Sequence, residues 1–223
     1  MSACLACTRV FRMTLEILLL TIGGYLSGSV LYAYLIPYLL CGIDIREASR
    51  DGNPGTANVF RICGAKVGTL VAAMEFAKAF VPVAAALSLL DQEAAGCWFA
   101  LIILAPVFGH MYSVLNLFRG GVGIAAAFGT MIAIFLETRL LIVAVLLYVI
   151  GRFGIHFKRD LYRTDFVFLT FLLILQVLHL NPAYRLAYSI ISVAVLFKNH
   201  FLKTVYAIPA GMTPSSAGVA AKK

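Results

Sequence analysis

Long stretches with almost no charge constrain the fold of this chain more than any other feature. Residues 14–41 carry a single charge, Glu16, and residues 67–90 carry only Glu75 and Lys78. A helix needs about 20 apolar residues to cross the roughly 30 Å hydrocarbon core of a bilayer, and its backbone groups must pair internally there. With 62% hydrophobic and 13% charged residues, the sequence predicts an all-α integral membrane protein.

We place about seven transmembrane helices along the chain. Short cytoplasmic loops are enriched in Lys and Arg, and an outside N-terminus puts thirteen of the 18 basic residues inside, four outside and Lys78 within a span. The C-terminus is then cytoplasmic. The predicted spans are residues 14–41, 67–90, 95–113, 122–136, 138–155, 165–180 and 184–201.

Composition also limits the domain organisation and the class of function. We predict one membrane domain over residues 1–208 and a disordered tail over residues 209–223, which are mostly small and polar. The net charge of +8 is spread over several loops, so a nucleic-acid-binding surface is not expected. Cys4 and Cys7 supply only half of a tetrahedral zinc site. We therefore expect no metal site there.

A polar, glycine-rich stretch at residues 41–66 separates the first two spans and is the first candidate site. Within it, residues 52–55 read GNPG, and a second glycine motif, GGVG, follows at residues 120–123. Glycines let the backbone turn sharply and present bare N–H groups that bind anions. Arg119 and the start of a helix adjoin the second motif, and both favour phosphate. Glycines also mark helix ends and close helix packing in membranes, and this alternative stays open.

Ionisable residues inside the spans provide further candidates. Glu75 and Lys78 are three residues apart and share one helix face. They form either a structural ion pair or a substrate-facing lysine, since charge within the membrane is costly and often functional. His110 and His200 lie at the predicted cytoplasmic ends of two spans. The predicted topology brings residues 41–66, 109–129 and 198–203 to one cytoplasmic face.

Several motifs, in this order and spacing, resemble the bacterial acyl-phosphate-dependent glycerol-3-phosphate acyltransferases of the PlsY type. They are GSV at 28–30, DIR at 44–46, GNPGTANVFR at 52–61, the Glu75 and Lys78 pair, GH at 109–110 and FRGGVGIAAAFG at 118–129. The resemblance covers about residues 24–130. Beyond residue 130 it is mainly hydropathy.

The resemblance implies a seven-helix protein of the bacterial plasma membrane with its active face toward the cytoplasm. Such enzymes transfer a fatty acyl group from acyl phosphate to glycerol 3-phosphate, giving lysophosphatidate and phosphate. It implies catalytic roles for Ser29 and Arg46, to which we add His110 and His200 as polar partners. The substrate-binding set that we predict is Gly52, Asn53, Gly55, Thr56, Asn58, Arg61, Lys78, Arg119, Gly120, Gly121 and Gly123.

The chain departs from the family pattern at a few positions. Val122 stands where the family's phosphate loop has a lysine, and Phe197, His200 and Lys203 stand in place of the third motif, HxxNxxR. An alternative function is therefore a catalytically silent relative that binds lipid phosphates or an acyl donor and acts through partners. A transporter is disfavoured because no internal repeat is visible.

Overall fold

The first predicted span, 14–41, is two helices rather than one. The computed structural model describes residues 2–155, 157 and 159–205, and in it α1 covers Ser2–Ser29 and α2 covers Tyr32–Cys41. The chain leaves the helical conformation at Val30 and Leu31. Backbone groups at this break lose their helical partners, and inside a membrane other protein groups must satisfy them.

The second long helix begins earlier than the sequence predicts. After the short helix α3 (Ile45–Ala48), whose N-terminus is capped by the Asp44 side chain, α4 covers Thr56–Leu89 instead of 67–90. Gly64 interrupts α4 with a φ of 80°, which glycine adopts without steric cost. The part of α4 before Gly64 leads directly out of the GNPG motif, and the part after Gly64 coincides with the predicted span.

The remaining spans also coincide with helices, and shorter elements join them. The other helices are α5 (Gln92–Ala95), α6 (Phe99–Met111), α7 (Ile124–Ala133), α8 (Phe135–Thr138), α9 (Leu140–Val149), α10 (Asp160–Val177) and α11 (Pro182–Val205). A 3₁₀ turn at Gly96–Trp98 precedes α6, another at Val114–Asn116 follows it, and α9 continues into a π-helical turn at Ile150–Gly154.

The described part of the chain is helical without strands and carries apolar stretches of membrane length. Three stretches are long and apolar enough to cross a bilayer, namely Val10–Cys41, Thr56–Leu89 and Gln92–Asn116, while Ile124–Ala133 and Leu140–Gly154 are shorter apolar helices. Large apolar side chains such as Leu136, which is 90% exposed, lie on the outer surface. The all-α membrane class is thus confirmed, whereas the number of crossings and their orientation stay predictions.

Close contact between α1 and α6 depends on glycine. A Cβ atom added to Gly28 would lie 2.1 Å from the carbonyl oxygen of Pro106, and one added to Gly109 would lie 2.1 Å from that of Tyr25. Glycine at these positions lets the two backbones touch, as small residues commonly do between membrane helices. This contact fixes the C-terminal end of α6, which carries His110, against the end of α1.

One polar region lies at each end of α4. α4 comprises 34 residues and is interrupted at Gly64. The GNPG motif precedes its first turn, whereas Asp91 follows its last one. Near that far end, the Tyr184 hydroxyl bonds Gln92 and Glu137. The predicted tail at 209–223 lies outside the described residues, as do the side chains of Cys4 and Cys7.

Candidate functional site

A cavity of about 410 Å³ lies at the start of α4 and joins the three polar regions that the topology predicts to converge. Its lining comes from the GNPG loop and the first turns of α4, from His110 at the end of α6, from the GGVG loop with α7, and from α10 and α11. Of the predicted site residues, it contains Asn53, Gly55, Thr56, Asn58, Arg61, His110 and Gly123.

The GNPG loop is held by its own polar side chains. Asn58 Nδ2 donates to Asp51 Oδ1 at 2.8 Å and to the carbonyl oxygen of Asn53 at 2.9 Å. Gly52 has a φ of 60°, a left-handed conformation that favours glycine. Asn53 Oδ1 and Thr56 Oγ1 are buried without a hydrogen-bond partner among the described residues. Because buried polar atoms are normally paired, these two atoms are available to a ligand in the cavity.

The GGVG loop is packed too tightly for side chains at its first two glycines. A Cβ atom on Gly120 would lie 1.8 Å from the carbonyl oxygen of His110, and one on Gly121 would lie 2.5 Å from His110 Nε2. Gly123 has a φ of 91° and is the N-cap of α7. None of the amides from Gly120 to Gly123 donates a hydrogen bond to another described residue. Bare amides before a helix N-terminus suit an anion.

Three buried ionisable side chains, those of Glu75, Lys78 and His110, contact one another next to this loop. Lys78 Nζ lies 2.7 Å from Glu75 Oε2 and 3.0 Å from His110 Nδ1, and His110 Nδ1 lies 3.0 Å from Glu75 Oε2. The Glu75 and Lys78 side chains are 0% and 2% exposed. Lys78 lines neither the cavity at the start of α4 nor a second cavity on the other side of the glycine loops. Its position fits the structural ion pair, the alternative to a substrate-facing lysine.

A second, more polar cavity of about 340 Å³ adjoins the same loops from the other side. Arg46 and Arg119 line it together with the acidic residues Asp44 and Glu47, and Gly52 and Gly120 form part of its wall. The Arg46 guanidinium stacks on the Tyr34 ring at 4.0 Å and pairs with Asp44, 2.7 Å away. Burial raises the pKa of Asp44, but the hydrogen bonds and charge of Arg46 outweigh it and leave that pKa below its ordinary value.

Charged residues of α4 and α10 form the rim of the larger cavity. Asp160 pairs with Arg61 and with Arg163, the latter at 2.8 Å. Although partial burial raises the pKa of Asp160, hydrogen bonding to Arg61 and the charges of both arginines lower it below its ordinary value. Arg163 and Asp160 were absent from the predicted site, because the resemblance beyond residue 130 is only hydropathy.

The proposed catalytic residues Ser29 and His200 line neither cavity. Ser29 is fully buried, and its hydroxyl donates to the carbonyl oxygen of Tyr25 at 2.9 Å. His200 Nε2 lies 3.0 Å from Asp165 Oδ2. Its neighbour Asn199 reaches the cavity instead and donates to Asp165 Oδ1 at 3.0 Å. The catalytic roles of Ser29 and His200 therefore stay predictions.

No group of His, Cys, Asp and Glu side chains suited to a metal ion occurs among the described residues. Cys41, Cys63 and Cys97 are free thiols.

Comparison with known proteins agrees with this architecture. A crystal structure of PlsY, an integral membrane glycerol 3-phosphate acyltransferase in its glycerol 3-phosphate form, superimposes with a TM-score of 0.73 and 27% identity. The match covers 88% of this chain and 96% of that one.

Curated relatives match over a shorter region. Glycerol-3-phosphate acyltransferases of Hydrogenobaculum sp. and Anaeromyxobacter sp. strain K are 36% and 37% identical over 119 and 112 residues. These matches cover 52% and 50% of this chain. The chain spans only 57% and 55% of the length of these two relatives.

The family model for glycerol-3-phosphate acyltransferases matches residues 18–205, which include the whole site described above. The chain belongs to the glycerol-3-phosphate acyltransferase family.

Proposed function

We propose that this protein transfers a fatty acyl group from acyl phosphate to glycerol 3-phosphate, giving lysophosphatidate and phosphate for phospholipid synthesis. One observation carries the proposal. Unpaired backbone amides of the GGVG loop and unpaired polar atoms of the GNPG loop meet beside His110, between two cavities of different polarity. An apolar cavity for the acyl chain and a more polar cavity for glycerol 3-phosphate match the two substrates of this reaction.

The larger cavity suits the acyl phosphate. Aromatic side chains of Phe60, Phe76, Phe128 and Tyr148 contribute to its lining and favour a hydrocarbon chain. Gly123 at the start of α7 lies in the same lining. The helix N-terminus supplies about half a positive charge and unpaired donors to the phosphate. In this assignment the chain lies among the helices while the phosphate rests on the loop.

The smaller cavity suits glycerol 3-phosphate. Arg46 and Arg119 line it together with Gly52 and Gly120, and arginine binds phosphate oxygens in a bidentate manner. Gly52 and Gly120 belong to the same two loops whose Asn53 and Gly123 line the larger cavity. The acceptor hydroxyl and the acyl carbonyl therefore approach each other across these loops.

The transfer itself requires no cofactor. The acceptor hydroxyl oxygen bonds to the acyl carbonyl carbon, the bond from that carbon to the phosphate oxygen breaks, and the departing phosphate takes the hydroxyl proton. Holding the two reactants in the correct orientation lowers the barrier by removing the entropy cost of encounter. Amides directed at the developing negative charge stabilise the transition state. These are the contributions that the two glycine loops are built to make.

The location of the protein is part of the proposal. Arg61 and Arg163 of the larger cavity and Arg46 and Arg119 of the smaller one all lie at the same end of α4. Positive charge favours the cytoplasmic side of a membrane. We place the protein in the bacterial plasma membrane, with N-terminus outside, C-terminus inside and both cavities toward the cytoplasm.

The direct test supplies the purified full-length chain with a long-chain acyl phosphate and labelled glycerol 3-phosphate. We expect lysophosphatidate and inorganic phosphate in equal amounts. An established member of the family, assayed in parallel in the same detergent, shows that the conditions support activity. No product from this chain beside an active control would refute the proposal.

A second candidate function is binding without turnover, favoured by Val122. Its side chain is 6% exposed and lies in the cavity lining, so an apolar group takes the place of a cation in the phosphate loop. Glycerol 3-phosphate that binds at equilibrium without product formation distinguishes this function from the enzyme.

A further inference from the structure

We infer that Lys78 holds the His110 ring in the tautomer with its proton on Nε2, so that His110 presents an N–H donor to the anion at Gly120–Gly123. The identity of that anion, a substrate phosphate, rests on the proposed function. The inference adds Lys78 and Glu75 as positioning residues, which act on the substrate only through His110.

The three N–H groups of the Lys78 ammonium account for the protonation of the ring. Among the described residues, three acceptors lie within reach of Nζ: Val30 O at 2.5 Å, Glu75 Oε2 at 2.7 Å and His110 Nδ1 at 3.0 Å. An ammonium has three donors and no acceptor, and a neutral imidazole has one of each. Nδ1 also lies 3.0 Å from Glu75 Oε2, which could accept a proton from it. An ammonium cannot accept a hydrogen bond, however, so its 3.0 Å contact with Nδ1 requires an unprotonated Nδ1 and places the ring proton on Nε2.

The break between α1 and α2 holds the Lys78 and Glu75 side chains in place in the bundle. Lys78 Nζ donates to Val30 O, and Glu75 Oε1 accepts from the Ala33 amide at 3.0 Å. Both backbone groups lie at the interruption of the helix, where they lack helical partners. The Glu75–Lys78 pair therefore provides hydrogen-bond partners both for the backbone groups at the helix interruption and for the His110 ring. A second backbone contact, Ser27 Oγ to Lys78 O at 2.7 Å, fixes α4 against α1.

The opposite edge of the His110 ring faces the glycine loops. Nε2 lies 2.5 Å from the position of a Cβ atom on Gly121, and Asn53 Oδ1 lies 3.1 Å from the same position. The His110 side chain itself is 4% exposed, yet it lines the larger cavity. An N–H at this point adds a side-chain donor to the bare amides of the loop. A neutral donor also avoids a second positive charge beside the buried ammonium.

The tautomer can be measured without any turnover. Histidine side chains of the full-length protein in detergent, labelled with nitrogen-15, give separate signals for protonated and unprotonated ring nitrogens. His110→Gln identifies the His110 signals by their loss. We expect an unprotonated Nδ1 and a protonated Nε2. A ring with its proton on Nδ1, donating to Glu75, would overturn the inference.

Substitution of the lysine tests the cause. Lys78→Met removes the donor to Nδ1 and should move the proton toward Nδ1, where Glu75 accepts it. Lys66→Met is the matched control, because Lys66 is an exposed lysine of the same helix, and it should leave the His110 signals unchanged. Should Lys78→Met fail to fold, Lys78→Arg retains a donor, and the wild-type spectrum alone still decides the tautomer. An unchanged tautomer in folded Lys78→Met would refute the role of Lys78.

Addition of inorganic phosphate tests the ligand. We expect a larger shift of the Nε2 signal than of the Nδ1 signal, and no such shift in the Gly121→Val variant, whose side chain displaces His110 from the loop. A predicted tautomer without any response to phosphate would overturn the anion-binding half of the inference. Because neither readout depends on product, an inactive protein with the expected spectra would refute only the proposed function.

Discussion

His110 and Gly121 meet where there is no room for a side chain: Nε2 lies 2.5 Å from the position that a Cβ atom on Gly121 would occupy. Asn53 Oδ1 approaches the same position to 3.1 Å. Three separate segments of the chain therefore converge on one small volume beside the larger cavity. The bare amides of the GGVG loop and the N–H inferred at Nε2 are donors that suit a phosphate, whereas Asn53 Oδ1 can only accept a hydrogen bond.

Gly121→Val should reduce glycerol 3-phosphate turnover far more than it reduces stability. The new side chain displaces His110 and Asn53, and the loss of one charge-assisted hydrogen bond of about 1.5–3 kcal/mol corresponds to roughly a 10- to 100-fold fall in kcat/KM. Gly23→Ala is the matched control, since nothing lies within 4 Å of an added Cβ there. Equal activity of the two variants would contradict the assignment of the loop.

Gly28→Ala should destabilise the bundle. Its Cβ would lie 2.1 Å from the carbonyl oxygen of Pro106, a backbone atom that cannot rotate away. Overpacking of this kind costs about 1–3 kcal/mol and should lower the thermal midpoint measured in detergent. The neighbouring Gly24→Ala, with its nearest contact at 3.4 Å, should change the midpoint little. A Gly28→Ala protein as stable as Gly24→Ala would show that α1 and α6 are not in contact.

Val122→Lys should strengthen phosphate binding. The residue lies in the GGVG loop and in the lining of the larger cavity, where an ammonium would reach the anion with a charge-assisted bond. We expect KM for the acyl phosphate to fall, with an upper limit of about 10- to 100-fold set by a bond of about 1.5–3 kcal/mol. Val122→Met controls for length without charge. If lysine and methionine give the same KM, the loop does not hold the donor phosphate.

The pH dependence of stability should include a contribution from Asp44. The pKa of this carboxyl is lowered in the fold from its ordinary value of 3.8. A depressed folded-state pKa stabilises the fold above the unfolded pKa, and this stabilisation is lost as the pH falls through the folded one. The thermal midpoint in detergent should therefore decline below about pH 3.8. In Asp44→Asn the acid decline should be smaller, and an identical decline in both proteins would exclude the Asp44–Arg46 pair as its source.

The sequence predicts the helices of this fold well because a helix that crosses a bilayer needs a long apolar run, which is visible in the sequence. It does not show the break after Ser29 or the helical turns that begin at Thr56, before the break at Gly64. Both depend on side-chain hydrogen bonds. Lys78 and Glu75 satisfy the backbone at the break, and Asn58 closes the loop before α4. Hydropathy contains no signal for either contact.

Some residues of the candidate site could likewise be predicted from the sequence, and others could not. Glycine motifs with flanking arginines were visible as local patterns, and the structure brings both loops to one place. Arg163 and Asn199 could not be identified, since they reach the cavity only through the packing of α10 and α11. Ser29 and His200 were chosen from their positions in the sequence, yet neither residue lines either cavity. Sequence spacing specifies which residues are near in the chain and not where their side chains lie.

The central claim is that the two glycine loops assemble an acyl-transfer site, and one measurement tests it most directly. A single preparation of the full-length protein is given acyl phosphate and glycerol 3-phosphate, and lysophosphatidate is quantified by mass spectrometry beside the Gly121→Val and Gly23→Ala variants. The account predicts product from the wild type and Gly23→Ala, and a strong loss in Gly121→Val. Absence of lysophosphatidate from a folded wild-type protein that binds glycerol 3-phosphate would contradict it.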